Sequence, residues 1–201
     1  MLAGALFTRV VLVALVGAAT AAADAATYRV EGSLTHASFA VPHLGFLKQR
    51  GQFERVWGTI VLDSARRTGS IDFLLDAASV STGWDARDEF IRGENMFDAA
   101  HFPSLRFRST RLVFEGGVLR AVDGEFTLRG VTLPIRLEVR ELRCSPMPTG
   151  AREACRALVV GQISRAAFGM DYAYPLIGDE VEFEFSITAL RVRDSGESES
   201  P

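Results

Sequence analysis

Apolar residues recur at every second position over long stretches of this chain. They occupy alternate positions in residues 131–139 and 181–189, and a shorter run covers residues 71–77. Successive side chains of a β-strand point to opposite faces, so this period predicts strands with one buried face. In residues 105–114 the alternation changes face midway, which is typical of a β-bulge.

Short segments with turn-forming residues separate the runs, and one segment breaks the period. The turn signals lie at residues 64–69, 116–117, 123–124, 130 and 178–179. Residues 85–97 predict one short helix. Its predicted apolar face carries Phe90, Met96 and Phe97, and its predicted solvent-facing side carries Arg87, Asp88, Glu89 and Arg92. About eight strands and one short helix predict an all-β antiparallel barrel or sandwich, and closure into a barrel would remove exposed strand edges.

The first residues have the pattern of a targeting segment. Arg9 precedes a continuous apolar run in residues 10–16, and small residues follow up to Ala23. This pattern predicts a signal peptide over residues 1–23, cleaved after Ala23 or Ala25. An uncleaved membrane anchor is the alternative. We therefore expect an exported protein with one barrel domain over residues 27–192 and a disordered polar tail over residues 193–201.

Charge and cysteine content narrow the function classes. A net charge of −3 lacks the basic excess typical of nucleic-acid binders. Cys144 and Cys155 are the only cysteines, and an even count in an exported chain favours a disulfide. A metal site is the alternative, but no histidine lies nearby to complete it. The sequence has no G-x-S-x-G, H-E-x-x-H or Walker motif, so we expect neither catalysis nor a cofactor.

A series of short motifs follows one order along the chain, and together they resemble the YceI-like family. The resemblance extends over about residues 28–191. The motifs include Phe39-x-Val41-x-His43-Leu44-Gly45-Phe46, Ser79-x-Ser81-Thr82-Gly83, Arg87-Asp88-x-Phe90-Ile91-Arg92, Phe97-Asp98-x-x-x-Phe102-Pro103, Gly124-x-Phe126-Thr127-Leu128-Arg129-Gly130, Arg165-x-x-Phe168-Gly169 and Gly178-Asp179-Glu180-Val181. The resemblance implies a periplasmic, lipocalin-like, eight-stranded barrel. It also implies a non-catalytic protein that holds a polyisoprenoid or quinone-like amphiphile in an apolar interior.

The aromatic residues of the strands and helix are the candidate binding residues. Taken together they suit a lumen lined for an apolar guest, although any one of them alone is better explained as an ordinary core residue than as part of a ligand wall. The candidates are Phe39, Phe53, Phe73, Phe90, Met96, Phe97, Phe107, Phe168, Phe183 and Phe185. The candidates for contact with a polar head group are His43, Arg87 and Arg92. The alternative role of His43 is that of an ordinary loop histidine, and the alternative role of each arginine is an ion pair on the helix surface.

Burial energies favour a long-tailed guest. A tail of about ten carbons would gain roughly 8 kcal/mol on burial, whereas association costs about 4–15 kcal/mol. We therefore expect a deep, continuous tunnel, and a guest that moves between a membrane and the barrel. Two alternatives stay open: a barrel filled by its own side chains that acts through its surface on an envelope partner, and an enzyme acting on a bound isoprenoid.

Overall fold

The computed structural model describes residues 25–147 and 152–192, and this part of the chain is almost entirely β-structure. The strands are β1 (Ala26–Val30), β2 (His36–His43), β3 (Leu47–Phe53), β4 (Val56–Asp63), β5 (Thr68–Asp76), β6 (Val80–Ser81), β7 (Ser104–Glu115), β8 (Val118–Leu128), β9 (Val131–Pro146), β10 (Glu153–Ser164) and β11 (Glu180–Arg191). The α-helix, α1, is Asp85–Arg92. The predicted signal peptide and tail lie outside the described residues.

Eight strands close into an antiparallel barrel, as predicted. Their order is β1-β4-β5-β7-β8-β9-β10-β11, and the pairing of β1 with β11 completes the circle. The other three strands extend one end of it, because β2 pairs with β11 and β3, and β6 pairs with β3. A short 3-10 turn, Gly32–Leu34, bends the chain between β1 and β2. Gly32 is required there, since a Cβ would lie 2.7 Å from the carbonyl oxygen of Val56.

The change of face in residues 105–114 is a genuine irregularity of β7. Its register with β8 shifts between Ser109 and Arg111 and again between Val113 and Phe114. The turn predicted at residues 123–124 is wrong, because both residues lie within β8. Gly124 serves close packing: a Cβ there would lie 2.4 Å from the Arg108 carbonyl oxygen and 2.5 Å from the Phe107 ring.

The two ends of the barrel differ in construction. At the helix end lie α1, the β2–β3 turn and the segment 165–179 that precedes β11. At the opposite end, the disulfide end, Cys144 of β9 and Cys155 of β10 form the predicted disulfide across the two strands. Residues 148–151 of the connection between these strands lie outside the described residues. Within residues 25–147 and 152–192, no helix is both long and apolar enough to span a membrane.

The helix ends at Arg92, so Met96 and Phe97 lie beyond it, and it presents a different face from the one predicted. Asp88 and Ile91, three residues apart, are its buried residues, whereas Phe90 is 38% exposed. The predicted solvent-facing position of Asp88 is therefore wrong. Its Oδ1 accepts hydrogen bonds from the backbone N–H and hydroxyl of Thr82, at 2.8 and 2.5 Å. These bonds fasten the start of the helix to the segment that follows β6.

Candidate functional site

Two apolar cavities lie in line along the inside of the barrel. The far chamber, toward the disulfide end, has a volume of about 90 Å³, and the helix-end chamber has a volume of about 100 Å³. Strand β11 runs past both: Val181 lines the helix-end chamber, and Phe185 and Ala189 line the far chamber. The lumen is therefore a single elongated region with two open spaces.

Phe183 separates the two chambers and lines both. Its ring stacks on Phe185 at a centroid distance of 5.6 Å and is tilted against Phe126 at 5.7 Å. The continuous tunnel expected from the energetics is thus interrupted by an aromatic ring. A cavity of about 150 Å³ holds a benzene molecule. Each chamber as it stands accommodates only a few carbons, and a long tail requires side chains to move.

Glycines lie opposite several of the lumen phenylalanines and make room for their rings. Gly51 is the cross-strand partner of Phe39, and Gly58 is the partner of Phe73. A Cβ at Gly51 would lie 2.4 Å from the Phe39 ring, and one at Gly58 would lie 3.2 Å from the Phe73 ring. The rings occupy the space beside these glycines because no side chain is present there. The sequence pattern of phenylalanine and glycine thus shapes the lumen wall.

Most of the predicted binding residues line one of the chambers. The helix-end chamber is lined by Phe39, Phe90, Met96, Phe97 and Phe183, and the far chamber by Phe73, Phe107, Phe183 and Phe185. Phe53 and Phe168 line neither chamber, although both are buried. The ring of Phe53 packs between Phe39 and Phe97, with both centroids 5.6 Å away. Phe168 packs edge-on against Phe126 at 5.9 Å.

Two of the three predicted head-group residues, His43 and Arg87, lie at the helix-end chamber. Arg92 does not line it: its guanidinium donates to the carbonyl oxygens of Ala78 and Val80, at 3.0 and 2.9 Å. Because Arg92 ends α1, its side chain reaches back to the segment around β6. Its observed contacts are those of a residue that holds the helix in place.

Arg87 is held in a network at the chamber wall. Its Nε donates to the Thr82 hydroxyl at 2.7 Å, and a terminal nitrogen donates to the Gln49 side-chain oxygen at 2.7 Å. The guanidinium also lies over the Trp84 ring, 5.4 Å from its centroid. His43 pairs its Nδ1 with the Val41 carbonyl oxygen at 3.2 Å. Both polar groups are thus fixed in position at the chamber.

Sequence reasoning missed Arg165 as a site residue. It is 1% exposed and lines the helix-end chamber. Its guanidinium donates to the carbonyl oxygens of Gly178 and Ile177, both at 2.8 Å, and of Met170. Burial lowers the pKa of this guanidinium, and the negative charge of Asp179 opposes that shift. The Arg165-x-x-Phe168-Gly169 motif was the available signal, but it does not reveal where the arginine points.

The polar groups of the lumen are concentrated at one end. The helix-end chamber carries four polar side chains, and none of them, among its described lining residues, is a carboxylate: His43, Gln49, Arg87 and Arg165. The lining of the far chamber is aliphatic and aromatic apart from the Tyr28 hydroxyl, which donates to Glu153 at 3.0 Å, and the disulfide sulfur of Cys155. This arrangement suits an amphiphile whose hydrogen-bond-accepting or anionic head lies at the helix end.

A rim of exposed apolar side chains surrounds the helix end. It comes from three loops and consists of Leu44, Phe46, Leu47, Trp84, Tyr172, Tyr174 and Leu176. The loops are joined: the Leu44 N–H donates to the Leu176 carbonyl oxygen at 2.8 Å, and Tyr172 packs on Phe90 at a centroid distance of 4.9 Å. This rim places apolar surface in solvent beside the helix-end chamber.

Near the disulfide, three potential metal ligands lie close together. Donor atoms of Cys144, Glu153 and Cys155 lie within 4.8 Å of one another. Both sulfurs are joined in the disulfide, so neither is a thiolate able to bind a metal. Glu153 instead accepts the hydrogen bond from Tyr28, whose pKa is raised by burial and by that bond.

The closed fold and the apolar lumen define a barrel binding protein. Residues 28–189 match the family model of the YceI-like domain, and the chain belongs to this family. It is similar to a UPF0312 protein of Vibrio campbellii, with 30% identity over 84% of this chain and 89% of that protein. A YceI protein of Salmonella arizonae is 31% identical over 67% of this chain and 72% of that protein.

Solved structures share the fold. BcnA of Burkholderia cenocepacia superposes with a TM-score of 0.64 and 23% identity, covering 79% of this chain and 98% of that one. A polyisoprenoid binding domain from Saccharophagus degradans has a TM-score of 0.58 and 15% identity, covering 83% and 98%. The family resemblance and the barrel prediction are therefore confirmed.

Proposed function

We propose that this protein binds one long-chain isoprenoid or quinone-like amphiphile in its barrel. The tail would extend toward the disulfide end, and the head would lie at the helix end beside His43, Arg87 and Arg165. The observation that carries this proposal is the position of the polar lining residues, four of which lie at the otherwise apolar helix-end chamber, whereas the described lining of the far chamber has Tyr28 in their place. The name of the Saccharophagus degradans neighbour, a polyisoprenoid binding domain, supports the choice of guest.

The chemistry of the helix-end chamber supports an oxygen-rich head group. Arginine offers several N–H donors in a planar fork, which matches phosphate oxygens and also suits a quinone carbonyl. Arg87 and Arg165 each donate three hydrogen bonds to protein oxygens, whereas a guanidinium has five N–H groups. Donors therefore remain for a guest. No catalytic step is part of the proposal, since the chain acts here by binding alone.

We also propose a periplasmic location and a transient membrane contact at the helix end. The N-terminal pattern around Arg9 supports export. Aromatic side chains such as Trp84, Tyr172 and Tyr174 suit the boundary between water and lipid, because they combine an apolar ring with a polar group. A guest leaving a membrane at this rim would meet the helix-end chamber first.

A second candidate function is that of a filled barrel acting through its surface on an envelope partner. The small size of the chambers, about 90 and 100 Å³, favours it. Measurement of a bound guest separates the two functions. An enzyme acting on a bound isoprenoid would also bind the guest, and it would be recognised by a chemically altered product in the same extract.

The test is organic extraction of protein purified from the periplasm, followed by mass spectrometry. The proposal predicts about one isoprenoid or quinone per protein. A matched pair of variants tests whether the guest lies in the far chamber. Ala157 lines this chamber, and its neighbour Arg156 is exposed on the outer face. Ala157→Phe should lose the guest, and Arg156→Phe should retain it. An empty wild-type extract, with no uptake of added geranylgeraniol, would overturn the proposal.

A further inference from the structure

We propose that Phe183 is a gate that determines how long a tail the barrel accepts, an inference that rests on the proposed function. Phe183 lies midway along the lumen face of β11, between Val181 and Phe185. Its ring lines both chambers, so a tail entering at the helix end meets it before reaching the far chamber. A tail that stays short of Phe183 can use only the helix-end chamber.

The surroundings of Phe183 are asymmetric. In one neighbouring strand its cross-strand partner is Phe39, and in the other it is Gly161, which has no side chain. The space over Gly161 is occupied by Leu137, because a Cβ at Gly161 would lie 2.5 Å from a terminal methyl carbon of that leucine. A leucine can change rotamer more readily than backbone can move. The ring therefore has a route to swing aside, over Gly161 and against a movable side chain.

Opening the gate breaks a set of aromatic contacts. The ring of Phe183 would leave its stack on Phe185 and its tilted contact with Phe126. A guest must offset this loss with the methylenes that it buries beyond the gate. A tail that stops short of Phe183 avoids this loss, so the closed ring lowers the affinity for tails that pass it relative to tails that do not.

The experiment compares two alcohols that have the same head group and different tails. Geraniol has two isoprene units and geranylgeraniol has four; binding of each to the purified protein is measured by calorimetry. Removal of the gate ring in Phe183→Ala lets the long tail continue without displacing it. If the long tail thereby buries about two more methylenes, its affinity rises about tenfold. The affinity for geraniol should change less than threefold.

Phe168→Ala is the matched control. Phe168 is a buried phenylalanine, with 2% exposure against 5% for Phe183, but it lines neither chamber. This variant should not change the ratio of the two affinities by more than threefold. An equal gain for both alcohols in Phe183→Ala, or a shift of the ratio in Phe168→Ala as large as that in Phe183→Ala, would overturn the gate. If Phe183→Ala does not fold, Phe183→Leu provides the same comparison.

Failure of the gate and failure of the proposed function give different results. If wild type binds geranylgeraniol and Phe183→Ala leaves the ratio unchanged, the gate is wrong and the binding function stands. If neither alcohol binds to the folded wild type or to the folded variants, the binding function itself is contradicted. Gly161→Ala adds a test in the opposite direction: by narrowing the route for the ring, it should slow the association of geranylgeraniol and not that of geraniol.

Discussion

Replacement of Arg165 by methionine tests how the helix end of the barrel is held together. The buried guanidinium joins β10 to the segment before β11 through the carbonyl oxygens of Met170, Ile177 and Gly178. Methionine has a comparable length and no hydrogen-bond donor. The variant therefore leaves three backbone oxygens without this partner, while the apolar contacts of the side chain are largely kept.

The expected loss follows from the cost of an unsatisfied buried carbonyl, about 1–3 kcal/mol each. Ile177 and Gly178 are only partly buried, so water can replace some of the lost bonds and the lower end applies. Three carbonyls at the lower end give about 3 kcal/mol. For a domain of this size about 1 kcal/mol corresponds to roughly 2–4 °C, so the melting temperature should fall by about 6–12 °C. Circular dichroism measures the melting temperature directly.

Arg143→Met is the control, because the side chain of Arg143 is 85% exposed and its nearest carboxylate lies 3.9 Å away. Its effect should stay within about 0.5 kcal/mol. Arg165→Lys keeps the charge but cannot span three carbonyls with a planar fork, so it should fall between wild type and Arg165→Met. A melting temperature of Arg165→Met within about 2 °C of wild type, or an equal loss in Arg143→Met, would refute the reasoning.

Two further predictions concern the disulfide and a surface histidine. Reduction of Cys144–Cys155, which closes a short loop with a sequence separation of 11, should cost roughly 2–3 kcal/mol and lower the melting temperature by about 4–12 °C; an unchanged melting temperature after complete reduction would contradict this. The hydrogen bond that Asp98 accepts from the His101 ring raises the pKa of His101 above 6.5, so the stability that this bond contributes is present below pH 6.5 and is lost as pH rises through the raised value. NMR titration should show this pKa falling toward 6.5 in Asp98→Asn, and no fall would contradict the assignment.

The sequence was sufficient for those features that depend on local pattern. The alternation in residues 131–139 and 181–189 predicts β9 and β11, and the change of face in residues 105–114 predicts the irregular register of β7. The disulfide followed from the number of cysteines and the expected compartment. These patterns are local, so they can be recognised without knowing how the strands are arranged in space.

Features that depend on contacts between separate elements could not be predicted from the pattern of apolar and turn-forming residues. Gly124 belongs to a strand because the Phe107 ring needs its space, although glycine after aspartate usually favours a turn. Asp88 is buried because Thr82 supplies two donors to it. Arg165 is buried because the loop that follows it folds back and offers it the carbonyl oxygens of Ile177 and Gly178. In each case a partner on another element overrides the local preference.

The interruption of the lumen illustrates the same limit for the site. Alternation places Phe183 and Phe185 on one face of β11, but it does not tell which ring lies between open spaces. That distinction arises from the packing of Phe183 against Phe126 of β8 and from the absent side chain of Gly161 in β10. The sequence thus predicts an aromatic lumen, but the division of the lumen into two chambers depends on the three-dimensional packing and is not predicted by the sequence.

The most direct test of the account is a crystal structure of the protein with geranylgeraniol. The account predicts continuous density for the tail through the lumen, from the hydroxyl near Arg165 to the far chamber beside Cys155, with the Phe183 ring displaced. Density for the alcohol on the outer surface alone, around side chains that fill the lumen as before, would contradict the central claim that this barrel binds its guest inside.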